Sequence, residues 1–179
     1  VLRLTKRFVD ILVSAIGLLM LLPLFLLVAL LIKIESPGPV FYRQVRVGLR
    51  GRPFSICKFR SMAQTDDPRI PRIGWLLRKT RIDEFPQLIN VLRGEMSLVG
   101  PRPQQPMLAS YMQEIIPYYD LRHTVRPGIT GWTQVKLPYG FSAEDAHMKL
   151  QYDLYYVKRL SFWFDIKIMV ETVRDMLNR

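Results

Sequence analysis

Two adjacent carboxylates, Asp83 and Glu84, follow a cluster of bases in a chain with formal net charge +11. Arg78 and Arg81 come just before the pair, and Arg102 follows in the segment "GPRP". Acids at the start of a helix can simply complement the helix macrodipole and cap free N–H groups. The same carboxylates can also attack an electrophile or bind a hard metal ion such as Mg²⁺. The properties of the neighbouring cations help to decide between a capping role and a chemical role for the two acids.

Those cations have the properties of a phosphate-binding group. Prolines on both sides of Arg102 restrict its backbone, so this side chain loses little further freedom when its planar fork binds phosphate. Lys58 and Arg60 lie two residues apart in a predicted strand and therefore share one face, which alone would be an ordinary solvated edge. Together with Arg78 and Arg81, these side chains predict a diphosphate site. Phosphate and carboxylate oxygens favour Mg²⁺ over a softer metal.

Length and composition limit the classes of protein that the chain can represent. Its 179 residues suffice for one domain with a core. A composition that is 49% hydrophobic, with 26 Lys+Arg against 15 Asp+Glu, fits a nucleic-acid binder or a membrane-surface protein. The single Cys57 excludes an internal disulfide and is consistent with a reducing, cytosol-facing location. His123 and His147 are far apart and lack cysteine neighbours, so they predict no transition-metal site.

An apolar segment without ionisable side chains, residues 11–32, has the length of a membrane helix. As one straight helix it would be about 33 Å long, close to the thickness of the hydrocarbon core. Pro23 lies near its centre, where it removes a backbone donor and predicts a kink. Basic residues flank both ends, which predicts that both ends stay on the cytoplasmic side. A re-entrant hairpin and a kinked spanning helix both remain open, since spanning helices tolerate proline.

The remaining sequence predicts an α+β, mostly helical fold. The segments "PGPVFYRQVRVG" and "PFSICKFRSM", separated by the turn-like "LRGR", predict a β-hairpin. Apolar residues recur at helical spacing from Phe85 to Leu92. This spacing predicts a helix that begins near Asp83, with Pro86 tolerated in its first turn.

Three further segments predict helices: "SYMQEII", "SAEDAHMKLQYDLYYVKRL" and "SFWFDIKIMVETVRDML". The second is predicted to begin with Ser142 as N-cap and Asp145 three residues on. The apolar positions on one side of the last segment are Ile166, Met169, Val170 and Val173. Such a stripe fits core packing or, beside a membrane segment and with Trp163 nearby, an amphipathic helix in the headgroup plane.

Several ordered motifs resemble those of one protein family. They are "KFRSM", "RKTRIDEFPQLINVLRGEMSLVGPRP", "RPGITGW", "YDLYY" and "SFWFDIKI". Together they are similar to the bacterial sugar transferases, the monotopic phosphoglycosyl transferases that begin glycan assembly on undecaprenyl phosphate. The resemblance runs from "KRFVDIL" to the final helix and is greatest to the C-terminal catalytic part of the longer, exopolysaccharide-initiating members. That placement would explain a chain that begins at Val1 rather than at Met.

The resemblance implies a reaction in which a phospho-sugar passes from a UDP-sugar to polyprenyl (undecaprenyl) phosphate and UMP is released. In similar proteins the aspartate of the Asp-Glu pair attacks the β-phosphorus and forms a covalent phosphosugar–enzyme intermediate. Here this nucleophile would be Asp83, and Glu84 would help it bind Mg²⁺ or polarise the site. The residues that match Lys58, Arg78 and Arg102 would neutralise phosphate oxygens.

Two further positions enter through the motifs. Asp153, in "QYDLYY", matches an acid that is functionally placed in the family, so the resemblance implies that Asp153 belongs to the substrate-binding residues. Arg126 opens "RPGITGW", a glycine-rich turn that is a candidate lining of the nucleotide pocket, so Arg126 is expected to contact substrate. The identity of the sugar is not readable, although the loop from Pro138 to Ser142 is a candidate for selecting it.

The resemblance also implies an anchor over residues 1–35, a re-entrant membrane helix broken at Pro23. Residues 36–179 would form a cytosolic catalytic domain with interfacial helices at the cytosolic face of the bacterial inner membrane, in contact with membrane lipids. Small family members often carry Ser before this proline, and its hydroxyl can satisfy a freed carbonyl. Leu22 stands in that place here, so other contacts would have to support the break.

The alternative from the residues alone is a non-enzymatic, membrane-tethered basic domain that binds anionic lipid or nucleic acid. Nucleic acid is disfavoured as a partner because the basic residues are not concentrated in one recognition-type helix. Oligomeric state is left open.

Overall fold

A computed structural model describes residues 2–62, 71–137 and 143–177. The helices are α1 (Leu2–Glu35), α2 (Arg72–Thr80), α3 (Gln87–Arg93), α4 (Pro106–Ile115), α5 (Trp132–Lys136), α6 (Ala143–Arg159) and α7 (Phe162–Leu177). The strands are β1 (Phe41–Val47), β2 (Pro53–Phe59), β3 (Ser97–Val99) and β4 (Gly128–Thr130). Short 3₁₀ turns cover Leu49–Gly51, Ile82–Glu84 and Tyr119–Thr124. The α+β, mostly helical prediction is confirmed.

The predicted β-hairpin is present. Strands β1 and β2 pair antiparallel, with Phe41 opposite Phe59 and Val47 opposite Pro53. The alternating side chains of β2 bury Phe54 and Ile56 in a cluster that also contains Val91 of α3. The hairpin is thereby fixed against the helix that follows the acid pair.

The prediction that one helix begins near Asp83 is wrong about where the helix begins. Helix α2 ends at Thr80, and Arg81 then adopts a left-handed conformation with φ of 57°. Asp83 and Glu84 lie in the 3₁₀ turn Ile82–Glu84, and α3 begins only at Gln87. Pro86 lacks an N–H group, so regular α-helical bonding is established only beyond it. The acid pair therefore lies in a tight turn between two helices.

A short parallel pair, β3 with β4, was not predicted from the sequence. Ser97 lies opposite Gly128 and Val99 opposite Thr130. The two backbones approach so closely beyond β3 that a Cβ atom on Gly128 would lie 2.1 Å from the Gly100 nitrogen. Gly128 N also donates to the Pro101 carbonyl over 3.0 Å. The glycines of "RPGITGW" thus hold the "GPRP" segment in place.

Helix α1 packs along the body of the protein at both of its ends. Near its start, the Asp10 carboxylate accepts hydrogen bonds from Ser97 Oγ and from Leu98 N, both at 3.0 Å. Near its end, Val28 and Ile32 are buried in a cluster around Phe59. Residues 10 and 32 of a helix are separated by about 33 Å, so these contacts extend over most of its length.

Basic side chains, buried in Arg60 and half-buried in Lys6 and Arg7, reinforce both ends of α1. Lys6 Nζ lies 2.5 Å from Asp165 of α7, and Arg7 donates to carbonyl oxygens at the end of α3. At the other end, Arg60 donates to the carbonyl oxygens of Ser36 and Pro37. The basic residues that flank the apolar segment are therefore partly used for docking the helix.

Helix α1 runs without interruption through Pro23. It is long enough and apolar enough to cross a membrane. No interruption of helical structure marks Pro23, so the expected break stays a prediction. One face of the helix exposes large apolar side chains from end to end. These are Leu4, Phe8, Leu12, Ile16, Leu19, Met20, Leu26, Leu30 and Ile34.

The last two helices follow their predicted bounds closely. Leu150 of α6 is buried in a cluster with Ala146 and Leu154 packed against it. In α7, Ile168 is buried, while Trp163 is 78% exposed and Val170 and Val173 are also exposed. Met169 of the predicted stripe packs against the cluster around Ile168, whereas its two valines face outward, so the interfacial placement of α7 stays a prediction. Ser142, predicted as the N-cap of α6, lies outside the described residues.

We expect Gly128→Ala to lower the thermal unfolding midpoint of the detergent-solubilised protein. The added methyl group would force the β3–β4 backbones apart, and overpacking of this kind costs about 1–3 kcal/mol or more. Gly51→Ala is the control for backbone strain without a clash, because a φ of +75° disfavours any L side chain while nothing lies within 4 Å of the added methyl group. A Gly128→Ala midpoint no lower than that of Gly51→Ala would contradict the close-approach argument.

Candidate active site

The acid pair lies where the hairpin, the α2–α3 turn and the "GPRP" segment meet. Ile82, directly before the pair, packs against the cluster formed by α1 and Phe59, which also includes Leu24 and Phe25. Asp83 and Glu84 are thus held beside the part of α1 that follows Pro23. This position puts two carboxylates next to the apolar helix.

Glu84 joins two of the predicted phosphate-binding cations. Its Oε1 atom lies 2.5 Å from Lys58 Nζ at the end of β2 and 2.9 Å from Arg102 Nη2. Only 12% of the Glu84 side chain is exposed. A carboxylate buried to this extent requires paired charges, and both partners are present.

Burial alone would raise the pKa of the Glu84 carboxyl. The charges of Arg102 and Lys58 and the hydrogen bonds from both outweigh that effect, so its pKa falls to about 2. Glu84 therefore stabilises the fold at pH values above the ordinary glutamate pKa, and this stabilisation is lost as the pH falls toward 2.

Asp83 has a different electrostatic environment from its neighbour. Burial raises the pKa of the Asp83 carboxyl, and the adjacent Glu84 charge raises it further. Lys58 and Arg78 act in the opposite direction without reversing the shift. A carboxylate with a raised pKa binds protons more strongly and is a better nucleophile than an ordinary one. The two acids thus differ in the way expected for a structural anion beside a reactive one.

Arg46 belongs to the same cationic group, although no sequence motif places it there. Its Nη1 atom donates to the Pro103 carbonyl over 3.2 Å, and its Nη2 atom donates to Gln44. Burial lowers the pKa of Arg46, and the nearby Arg102 charge lowers it further. Two guanidinium groups that repel each other favour an anion between them.

A buried layer supports the backbone of Arg102. Arg122 Nη2 donates to the Arg102 carbonyl over 2.9 Å and lies 2.7 Å from Asp153 Oδ2. Thr133 Oγ1 donates to the other oxygen of Asp153 over 2.6 Å. Asp153 is therefore not among the groups around the acid pair. It acts on Arg102 through Arg122, which the sequence did not single out.

The structure does not bring three other predicted cations to Glu84. Arg60 is buried against the end of α1. Arg81 lines a small cavity beside α7 that also includes Asp175. Arg126 Nε donates to the Gly94 carbonyl at the far end of α3, over 2.8 Å. Their predicted contacts with phosphate or substrate stay predictions.

The acid pair fits a magnesium ion only in combination with substrate phosphates. Within residues 2–62, 71–137 and 143–177, no group of three or more His, Cys, Asp or Glu side chains is arranged to hold a metal ion. Mg²⁺ commonly binds through one or two carboxylates, with phosphate oxygens and water completing its shell. Asp83 and Glu84 offer that smaller donor set.

Comparison with known proteins agrees with the motifs. A family model for the bacterial sugar transferases matches residues 1–179. The UDP-N-acetylgalactosamine-undecaprenyl-phosphate N-acetylgalactosaminephosphotransferase of Aeromonas hydrophila is 47% identical, with 96% of this chain and 43% of the relative covered. The UDP-glucose:undecaprenyl-phosphate glucose-1-phosphate transferase of Escherichia coli strain K12 is 43% identical, with 96% and 40% covered.

The shorter relatives match over more of their own length. The exopolysaccharide production protein PSS of Rhizobium leguminosarum bv. phaseoli is 44% identical, with 97% of this chain and 96% of the relative covered. The chain spans less than half the length of the Aeromonas and Escherichia proteins. Because the matches to the family model and to these relatives extend over nearly the whole chain, the chain belongs to the bacterial sugar transferase family.

Proposed function

We propose that this chain transfers a sugar 1-phosphate from a UDP-sugar to polyprenyl (undecaprenyl) phosphate, with Asp83 as the nucleophile and UMP as the leaving group. The Aeromonas and Escherichia relatives are named as transferases that act on undecaprenyl phosphate with UDP-N-acetylgalactosamine and UDP-glucose, respectively. The observation that carries the proposal is the contrast between the acids. Glu84 is neutralised by two cations, while Asp83 has a raised pKa.

The first step forms a bond between a carboxylate oxygen of Asp83 and the β-phosphorus of the UDP-sugar. The bond from that phosphorus to the bridging oxygen breaks, and its electron pair leaves with UMP. A phosphate oxygen of the polyprenyl phosphate then attacks the same phosphorus and releases the Asp83 carboxylate. Polyprenyl diphosphate-linked sugar is the product, and no proton is required in either displacement.

The cations around Glu84 make this chemistry feasible. A carboxylate approaches an anionic phosphorus only if the charge on the phosphate oxygens is screened. Lys58, Arg102 and Arg46 are held in place by contacts with Glu84 and the "GPRP" backbone, and Arg78 is near enough to Asp83 to lower its pKa. Mg²⁺ held by Asp83 and Glu84 would supply further positive charge to the diphosphate.

The contacts at the two ends of α1 support one membrane arrangement over the other. Lys6 and Asp10 near its start and Ile32 near its end contact the same body, which is hard to reconcile with a helix whose ends lie on opposite sides of a bilayer. We therefore propose that α1 enters and leaves the bilayer on one side, the cytosolic face of the inner membrane. The exposed apolar sides of α1 and α7 would then contact lipid.

Asp83→Asn should abolish UMP release, because an amide cannot form the covalent intermediate. Incubation of the unaltered protein with UDP-sugar alone should add the mass of a phosphosugar to the tryptic peptide 82–93, and the variant should show no adduct. Asp120→Asn, at an exposed carboxylate, is the matched control and should keep both. UMP release by Asp83→Asn at the original rate would exclude Asp83 as the nucleophile.

Glu84→Gln should reduce turnover and weaken its dependence on Mg²⁺ concentration. The substitution removes one of the two proposed metal ligands and one negative charge from beside Asp83. Because the Glu84 charge raises the pKa of Asp83, the acid limb of the pH–rate profile should also move to lower pH.

The control for this variant is Arg78→Gln. Arg78 lowers the pKa of Asp83, so its removal should move the acid limb to higher pH. If the acid limb of the pH–rate profile moved in the same direction in both variants, the ionisation that produces this limb could not be assigned to Asp83. Turnover by the unaltered protein that is indifferent to chelators would refute the metal proposal.

The membrane proposal is tested by cysteine labelling in intact cells, with single cysteines introduced at Val1 and at Arg50. Both should resist a membrane-impermeant thiol reagent added from outside and react after the cells are opened. Native Cys57 is buried and should contribute little signal. Labelling of either introduced cysteine from outside would restore the spanning helix.

A further inference from the structure

A basic cavity of about 290 Å³ opens beside the N-terminal part of α1. Its lining includes the side chains of Lys6, Arg7, Asp10 and Arg126, together with leucines from three separate segments. The volume is near the lower end of the range of small-molecule sites, about 300–1,000 Å³. The cavity can therefore accept a compact polar group.

Two of the charged residues in this lining are already paired. Lys6 lies 2.5 Å from the Asp165 carboxylate. The Asp10 carboxylate accepts hydrogen bonds from Ser97 Oγ and Leu98 N. Asp165 neutralises Lys6, whereas the donors to Asp10 are neutral groups, so this part of the lining contributes about one negative charge. The two arginines of the lining carry more positive charge than that.

The two arginines lack a carboxylate partner in the described part of the chain. Arg7 donates to the carbonyl oxygens of Val91 and Leu92 over 2.5 and 2.7 Å, and Arg126 Nε donates to that of Gly94 over 2.8 Å. A helix C-terminus carries roughly half an elementary negative charge, which does not balance two guanidinium ions. Among the described residues, the terminal nitrogens of Arg126 have no hydrogen-bond acceptor.

The cavity lies at the edge of the apolar face of α1. Leu4, which is 77% exposed, also lines the cavity, and Phe8, one turn further on, is 66% exposed. Arg7 lies between them in sequence and is turned toward the body. An amphiphile could therefore place its chains along Leu4 and Phe8 and its headgroup against the arginines.

We propose that this cavity binds the phosphate group of an anionic membrane phospholipid, with Arg126 as its main ligand. The site is separate from the transfer reaction, because the acid pair precedes α3 and the cavity lies beyond its end. A seven-residue helix is about 10 Å long, so a phosphate in the cavity is too far from Asp83 to react there. The bound lipid would fix the start of α1 at headgroup level.

The test follows the thermal unfolding midpoint of the detergent-solubilised protein during titration with dioctanoyl phosphatidylglycerol. The lipid should raise the midpoint of the unaltered protein. Arg126→Gln should need about tenfold more lipid for the same shift, since one charge-assisted contact is lost. Arg43→Gln, which removes an equal charge from an exposed position on β1, should respond like the unaltered protein. An equal response of Arg126→Gln would overturn the proposal.

Three further arms identify the ligand. Dioctanoyl phosphatidylcholine and inorganic phosphate, at matched concentrations, should shift the midpoint much less than phosphatidylglycerol does. If either of them produced an equal shift, the ligand would not be an anionic phospholipid. The third arm measures the KM for polyprenyl phosphate in Arg126→Gln, and a tenfold rise would assign the cavity to the acceptor and overturn the proposal.

A second variant keeps the test valid if Arg126→Gln folds poorly. Thr124→Glu adds a carboxylate to an exposed position of the cavity lining and leaves the Arg126–Gly94 bond in place. It should abolish the phosphatidylglycerol response while preserving the basal midpoint. A retained response in this variant would also contradict the proposal.

Discussion

One carboxylate oxygen, Glu84 Oε1, forms ion pairs with both Lys58 of the hairpin and Arg102 of the "GPRP" segment. Cations of this kind repel each other, and a largely buried anion is what allows them to converge. Other buried contacts follow from that requirement. Arg122 and Asp153 hold the Arg102 carbonyl, and the glycine contacts between β3 and β4 hold the chain beside it. The site is thus built outward from a neutralised acid, which leaves the neighbouring Asp83 with a raised pKa.

The two adjacent acids have different roles, and this difference explains why the pair occurs in a basic chain. Two equivalent carboxylates would compete for the same cations and raise each other's pKa. Here the tight turn directs Glu84 to Lys58 and Arg102, while Asp83 stays only partly buried. The left-handed Arg81 and the following 3₁₀ turn produce this separation, which a regular helix start would not have provided.

The sequence predicted those elements whose signal is local. The hairpin follows from alternation and a turn, and α1, α6 and α7 follow from long apolar patterns. Lys58 and Arg102 were placed correctly near the acid pair by motif. Strands β3 and β4 were missed because three residues carry no period. Arg46, Arg60, Arg81, Arg122 and Arg126 could not be sorted in advance, since among 26 bases only the tertiary fold decides where a long side chain ends.

Helix α1 is fastened to one body at its start by Asp10 and near its end by the burial of Ile32. A helix tethered at one end accommodates a thicker or thinner bilayer by changing its tilt. A helix clamped at two points has lost that freedom, since any rotation would break one clamp. In the proposed one-sided arrangement, the surrounding lipids would therefore have to deform to match the helix, which would impose a local thickness on the leaflet around it.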